Sequence, residues 1–334
     1  MESFYPFELA ITHFLQNLGT WLLPVMRLFT FLGNEEFYML VMPILYWCVD
    51  AVLGLRIGIM LVLSGTLNGI IKLVFKSPRP YWIDKTVTAY ISESSFGLPS
   101  GHAMNAMSVW GLFAASIRKK GFRVVLIALV ILIGISRIYL GVHFTSDVLM
   151  GWLVGVFLLI LYVHNEKHIL SWIRTLSLGR LVLFLFLISM MLIGVGILGR
   201  SFFPSGWAIP SAWRETAALT DPSGEMNPLS LEGTVSNAAI FFGLTSGAAY
   251  IFSNGKFNHR GTWKQHILKF LIGICGVLIL WMGLGQVFPH STDLPGFTLR
   301  YLRYVLTGLW IAAGAPLVFI KLGLSERGKQ KQGE

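Results

Sequence analysis

Charge is scarce in this chain: Asp, Glu, Lys and Arg together make up 13% of 334 residues, against 54% apolar residues, and the mean hydropathy is +0.67. That excludes the pair of water-soluble domains the length alone suggests and indicates a polytopic membrane protein. Cysteine is scarce too. Cys48 and Cys275 both fall inside apolar runs, so they read as small buried hydrophobes and not as a disulfide or a metal pair. Residues 1–19 contain Glu2, Glu8 and His13 but no basic start or small-residue cleavage pattern, so no removable signal peptide is expected. There is no repeat at a solenoid period, and the only low-complexity segment is the polar tail after Leu324. A net charge of +10 invites comparison with nucleic-acid binders, but the basic residues lie in short clusters between apolar segments and form no single stripe, so no nucleic-acid partner is expected.

What is abundant is long apolar sequence. A spanning helix needs about 20 apolar residues, and nine stretches come close: 37–49, 53–75, 101–117, 122–140, 146–163, 181–198, 235–252, 267–285 and 301–320. The expected fold is therefore all-α, a bundle of about nine transmembrane helices. The segment before the first, with Pro24 and Arg27, reads as interfacial or re-entrant. The polar stretch 164–180 divides the chain, giving an N-terminal segment 1–33, a core 34–165 and a membrane extension 166–334 with a long outer loop, 201–234. Trp207 and Trp213 suit that loop to the membrane surface. Alternate loops share a side, and Arg118, Lys119, Lys120, Arg123, Lys167, Arg174, Arg180, Lys256, Arg260, Lys264, Lys321, Arg327, Lys329 and Lys331 collect on one of them. By the positive-inside rule that side, with the C-terminus, is cytoplasmic. The opposite side is mixed or acidic, with Asp84, Glu93, Arg214, Glu215, Asp221, Glu225, Glu232 and Asp293.

On this outer side lie three clusters that place ionisable groups at the ends of apolar segments, where an unpaired charge is expensive. The first is Lys72 with Arg79-Pro80. Pro78 and Pro80 stop the helix, leaving an ammonium and a forked guanidinium able to neutralise and orient a phosphate. Taken alone, they also read as cations snorkelling toward lipid headgroups. The second is Pro99-Ser100-Gly101-His102, where Ser100 caps a helix and Gly101 lets an anion approach its N–H groups. Taken alone, this is also a plain helix cap with an interfacial histidine. The third runs from Ser136-Arg137 through His143 to Asp147. Gly141 ends one helix, Thr145 or Ser146 caps the next, and Asp147 is placed to fix one ring nitrogen of His143, leaving the other able to attack. A structural His–Asp pair fits equally. His13, His164, His168, His259, His266 and His290 occur singly and read as interfacial, with His290 near enough to Ser291 and Asp293 to border a pocket. Ser236 and Asn237 read as capping or pocket-lining.

Together the clusters match a single pattern: Lys, six residues, Arg-Pro; Pro-Ser-Gly-His; Ser-Arg, five residues, His, three residues, Asp. Over about 34–163 the chain resembles the type 2 phosphatidic acid phosphatase superfamily. Residues 32–38 and 43–50 resemble the opening of its sphingosine-1-phosphate phosphatase branch, which carries threonine where Gly101 stands, and the nine-span layout is similar to that of glucose-6-phosphatase. The resemblance implies that His143 is a nucleophile forming a phosphohistidine. It implies that His102 protonates the leaving oxygen and later activates water, and that Lys72, Arg79, Ser100, Gly101 and Arg137 surround the phosphoryl oxygens. It implies no metal and no cofactor, and the outer face has no obvious carboxylate cluster for magnesium.

The expected function is a phosphoric monoester hydrolase of the cell (inner) membrane, facing the periplasmic or extracellular side and acting on a lipid phosphate among membrane lipids. Alternatives are a polyprenyl diphosphate phosphatase, a lipid phosphotransferase or a soluble sugar phosphatase. A lipid transporter or scramblase would use the same cations but has no use for His143 held by Asp147. Because fixed cations supply the charge neutralisation, phosphate release is expected to persist undiminished in excess chelator. A strict requirement for added divalent metal, measured by phosphate release, contradicts that charge assignment.

Overall fold

In a hydrocarbon layer every backbone N–H and C=O must be paired within its own segment, so apolar runs of this length fold as helices. The computed structural model describes residues 5–221, 224–255, 257–289 and 291–326, and its regular structure is helical. Glu2, Lys256, His290, Arg327, Lys329 and Lys331 lie outside the described residues. The helices are α1 (Tyr5–Asn17), α2 (Leu23–Phe31), α3 (Glu35–Ile44), α4 (Ala51–Phe75), α5 (Pro80–Ile83), α6 (Gly101–Ser116), α7 (Lys120–Tyr139) and α8 (Thr145–Ile173). They continue with α9 (Leu178–Ser201), α10 (Ser211–Thr220), α11 (Glu232–Ser253), α12 (Trp263–Leu278), α13 (Leu284–Val287), α14 (Leu294–Leu309) and α15 (Ala315–Lys321). π-helical turns at Leu45–Val49, Ile279–Gly283 and Trp310–Gly314 join neighbouring helices.

All nine expected stretches are helical. Among the described residues, 7 helices are long and apolar enough to cross a membrane, and the bent pair Thr20–Phe31 and Glu35–Val49 makes 8 if it counts as one span. The remaining stretch is α6, whose 16 residues extend about 24 Å at 1.5 Å per residue. That is short of a hydrocarbon core of about 30 Å. The chain is a multi-pass membrane protein, and its side-chain distribution agrees: Leu153, Phe157 and Ile160 on α8 are each more than 60% exposed, an apolar stripe suited to lipid.

Contacts within the chain group into two units. The first takes in the chain up to Phe37, Leu67–Leu161 and Val195–Leu231. Its centre is built by α1, α6, α7 and α8, where Ala103, Ile138 and Val148 pack with Ile11, Leu15 and Trp152, and Ala106, Val130 and Ile133 pack with Met107 and Trp110. The small side chains of α6 let α7 and α8 approach closely. The outer loop belongs to this unit: Trp213 lies 5.9 Å from Trp82, Phe203 stacks on Phe96 at 6.1 Å, and the Asn227 N–H donates to the Ser94 carbonyl at 2.9 Å.

The second unit comprises Tyr38–Thr66, Tyr162–Gly194 and the chain from Glu232 onward. Val62, Leu185 and Phe241 form one buried cluster there. Arg56 pairs with Glu166 at 2.7 Å, and Arg300 with Glu232 at 2.8 Å. α11 and α14 touch through glycine. Gly243 faces the Val305 carbonyl, and a Cβ on Gly308 would sit 2.7 Å from the Leu244 nitrogen and 2.9 Å from the Ile240 oxygen. Backbone atoms cannot swing aside as a flexible side chain does, so Gly308→Val should force the helices apart at a cost of about 1–3 kcal/mol. A thermal unfolding midpoint several degrees below wild type in detergent is the expected result, whereas an unchanged midpoint contradicts this packing.

Candidate active site

The site is assembled in the first unit at four chain reversals: the end of α4, the loop after α5, the start of α6 and the α7–α8 turn. α4 stops at Phe75, and Pro78 and Pro80 hold Arg79 on extended backbone (φ −98°, ψ 158°) before the single turn α5. Arg79 is fully buried. Its Nε donates to the Ser95 carbonyl at 2.6 Å, Nη1 to the Val142 carbonyl at 2.8 Å, and Nη2 to the Ser95 hydroxyl and Phe96 carbonyl, both at 3.2 Å. The Lys72 ammonium, in the last turn of α4, donates to the same Ser95 hydroxyl at 2.8 Å. The two cations of the first cluster thus meet at one hydroxyl.

Ser100 caps α6, its hydroxyl accepting from the Ala103 N–H at 3.5 Å, while its own N–H donates to the Asp147 carbonyl at 2.9 Å. The next N–H groups, Gly101 and His102, open the helix, where the first-turn donors have no intrahelical acceptor. A Cβ on Gly101 would lie 3.1 Å from the Asn68 side-chain oxygen, so the residue is small where the helix start is crowded. His102 Nε2 lies 2.6 Å from Asn34 Oδ1; because an amide oxygen only accepts, Nε2 carries the proton.

α7 ends at Tyr139 and the chain turns through Gly141 at φ +76°, where a side chain would also collide with the Thr88 carbonyl. The following helix start is capped differently from the expectation. The Thr145 hydroxyl has no partner. Instead Asp147 Oδ2 accepts from the Phe144 N–H at 2.9 Å, and Glu8 Oε1, from α1, accepts from the Ser146 N–H at 2.7 Å. Asp147 is long enough to reach back over the first turn, which Thr145 and Ser146, inside the helix, cannot do. Asp147 Oδ2 also meets His143 Nδ1 at 3.2 Å, and His143 Nε2 lies 3.2 Å from Arg79 Nη1. A carboxylate at one nitrogen and a guanidinium at the other fix the neutral tautomer: Nδ1–H donates to Asp147, and Nε2 presents its lone pair. Burial, reinforced by Arg79, Arg137 and Lys72, holds the imidazole pKa well below its usual value, so the ring is neutral.

Arg137, in the last turn of α7, donates from Nη1 to the Thr30 hydroxyl at 2.6 Å and from Nη2 to Glu93 Oε1. Glu93 Oε2 lies 3.5 Å from Arg79 Nη2, so one carboxylate bridges both arginines. Burial opposes its ionisation, but Arg79, Arg137, His102 and Lys72 outweigh that and hold its pKa far below the carboxylate range.

All eight expected site residues therefore lie on the four reversals, and hydrogen bonds and ion pairs connect Lys72, Arg79, Arg137, His143, Asp147 and Ser100 into one network. The residues not singled out from sequence are Glu93, Ser95, Thr30, Asn34 and Glu8. Only Glu93 had a usable signal: between Arg79 and Ser100 the chain has two carboxylates, Asp84 and Glu93, and Asp84 is spent on Thr86 and His13. Of the remaining histidines, His13 clips that loop, and His164 and His168 are exposed. Asn237 sits against Gly65, and the Ser236 hydroxyl is buried without a partner. Among the described residues no group of three or more His, Cys, Asp or Glu side chains is arranged to hold a metal ion.

The fold and site define a multi-pass helical membrane protein with a buried cluster of cations around a carboxylate-held histidine. A model of the PAP2 superfamily matches residues 53–170, and a model described as PAP2 superfamily phosphatase, transmembrane extension, matches residues 235–327. The chain belongs to the PAP2 superfamily and carries its transmembrane extension. It is 36% identical over 123 residues to phosphatidylglycerophosphatase B of Bacillus subtilis (33% of this chain, 58% of that protein). It is 31% identical over 149 residues to sphingosine-1-phosphate phosphatase 1 of Mus musculus (42% of this chain, 35% of that protein). It is 29% identical over 116 residues to undecaprenyl-diphosphatase of Sulfolobus acidocaldarius (34% of this chain, 56% of that protein). These matches each span less than two thirds of the relative's length. A crystal structure of a PAP2-type phosphatidylglycerolphosphate phosphatase from Bacillus subtilis aligns with TM-score 0.44 and 28% identity, over 51% of this chain and 89% of that one.

Proposed function

We propose that this chain is a membrane phosphatase that hydrolyses a lipid phosphate monoester through a phosphohistidine at His143. The observation that carries the proposal is the pose of His143, with Nδ1 on Asp147 and Nε2 3.2 Å from Arg79. The nucleophilic lone pair and a cation suited to the phosphoryl oxygens converge on one point, which simple headgroup binding does not require.

In the first step the Nε2 lone pair forms a bond to phosphorus as the bond to the leaving oxygen breaks. His102 gives that oxygen a proton, and Asp147 stabilises the positive charge that develops on the His143 ring. In the second step His102 takes a proton from water, the water oxygen bonds to phosphorus, the P–N bond breaks, and orthophosphate leaves. Lys72, Arg79, Arg137, Ser100 and the Gly101 N–H balance the charge on the oxygens throughout. The lipid class of the substrate is supported by the relatives, whose names all refer to phosphorylated lipids, and by the position of the site among spanning helices. The two matched segments support reading 34–165 as the phosphatase core and 166–334 as the extension, with 1–33 as an interfacial or re-entrant lead. The bias of Lys and Arg supports a site on the periplasmic or extracellular side and a cytoplasmic C-terminus.

His143→Ala should lower phosphate release by on the order of 10³-fold or more and abolish an acid-labile, alkali-stable phosphoenzyme, while lipid phosphate still binds. Full turnover in that variant would sink the nucleophile assignment. Because His143 is already neutral, the acid limb of kcat/KM, which reports the free enzyme, should lie below the ordinary histidine pKa of about 6.5. An acid limb with its midpoint at or above that value contradicts a nucleophile kept neutral by burial. A panel of lipid phosphates, polyprenyl diphosphates and sugar phosphates, read by phosphate release, separates the substrate classes.

A further inference from the structure

The bridging position of Glu93 is unusual for a site built to bind an anion. Its carboxylate touches Arg137 and lies 3.5 Å from Arg79, on the very guanidinium groups that a phosphate needs. Nor is it a loose side chain that fell there. The Tyr81 hydroxyl donates to the Glu93 carbonyl at 3.0 Å and accepts from the Glu93 N–H at 3.3 Å, fixing the backbone on both sides. Two residues on, the Ser95 carbonyl and hydroxyl are held by Arg79, and the outer loop secures Ser94 through Asn227. The carboxylate is therefore delivered to the arginines by a rigid stretch, yet its side chain keeps 24% of its surface exposed, so it has a way out.

Charge decides what must happen when a phosphate arrives. Lys72, Arg79 and Arg137 carry three positive charges, and Asp147, committed to His143, removes one. A phosphate monoester dianion brings about two negative charges, which match what is left only if Glu93 withdraws. Resting on the phosphatase reading above, we propose that Glu93 is the site's resident anion, displaced from Arg79 and Arg137 by incoming phosphate, and that this competition makes the site discriminate against free orthophosphate. A lipid phosphate offsets the displacement with the burial of its tail. Orthophosphate, the product, has no tail, so the same competition falls on it in full and speeds its release. The resident carboxylate also gives two buried guanidinium groups an anionic partner between turnovers.

The direction of the effect separates a competitor from a strut: removing a competitor tightens anion binding, and removing a strut loosens it. The test is equilibrium binding of radiolabelled orthophosphate to the purified full-length chain in detergent, comparing wild type, Glu93→Gln and Arg79→Ala, with folding checked by thermal unfolding. Glu93→Gln should bind orthophosphate at least tenfold tighter and show correspondingly stronger product inhibition during turnover; Arg79→Ala should bind at least tenfold weaker. If Glu93→Gln does not fold, Glu93→Asp, one methylene too short to span both arginines, replaces it with the same expected sign. Unchanged or weaker binding in the folded Glu93 variant, with Arg79→Ala still defective, overturns the resident anion and leaves the phosphatase reading standing. Wild-type affinity in Arg79→Ala overturns both.

Discussion

The structure around the site depends on one constraint: a guanidinium cannot be taken out of water without replacing the hydration it loses. The penalty is several kcal/mol per ion even after relaxation, and Arg79 is fully buried. Its replacement shell comes from Ser95 and Phe96 before α6, Val142 before α8, and Glu93. Those acceptors lie on two stretches of chain that are remote in sequence, so satisfying one side chain also pins the loop after α5 to the α7–α8 turn. Arg137 repeats the device, joining the end of α7 to Thr30 in α2 and, through Glu93, to Arg79. The cations proposed to hold phosphate are thus also the rivets that hold the walls of the site.

Asp147 is the second point on which several parts converge. Its carboxylate caps the start of α8 and orients His143, and its backbone carbonyl receives the N–H of Ser100, which caps α6. The pose of His143 and the position of the start of α6 are consequently set by the same residue. A Cβ on Gly97 would stand 2.9 Å from the same carboxylate oxygen and 2.6 Å from the Pro78 carbonyl, so the Arg79 loop closes against Asp147 only because residue 97 has no side chain. Groups sharing a partner in this way couple, and losses from changing two of them do not add.

Much of this was legible in the sequence. Lipid forces helices on long apolar runs, so the nine stretches fell where helices stand, and fixed spacings placed Lys72, Arg79, Ser100, His102, Arg137, His143 and Asp147 at helix ends. The exceptions share a cause. Asn34, Thr30 and Glu8 act across chain separations from 68 to 138 residues, and no local period or motif announces a partner so distant. The cap on α8 differs from the expectation for a related reason: Thr145 and Ser146 are good caps by type, but Glu8 and Asp147 supply the acceptors once α1 is in place. The shortness of α6 was already visible, because the apolar stretch 101–117 is only one residue longer than the helix.

The break between α2 and α3 gains a reason from the same network. Residues 32–34 leave the helical path, and Gly33 packs where a Cβ would meet Ile133 at 2.7 Å and His102 Cδ2 at 3.4 Å. Such an approach brings Asn34 onto His102 Nε2. Had the helix run through, successive residues would have been set 100° apart around its axis, with a fully paired backbone and no means of aiming both Gly33 and Asn34 at one imidazole. A polar side chain fixed this way occupies Nε2 and leaves Nδ1 of His102 open, as the proposed role of first donating and then accepting a proton requires. The interruption that bends 20–49 is what couples it to His102.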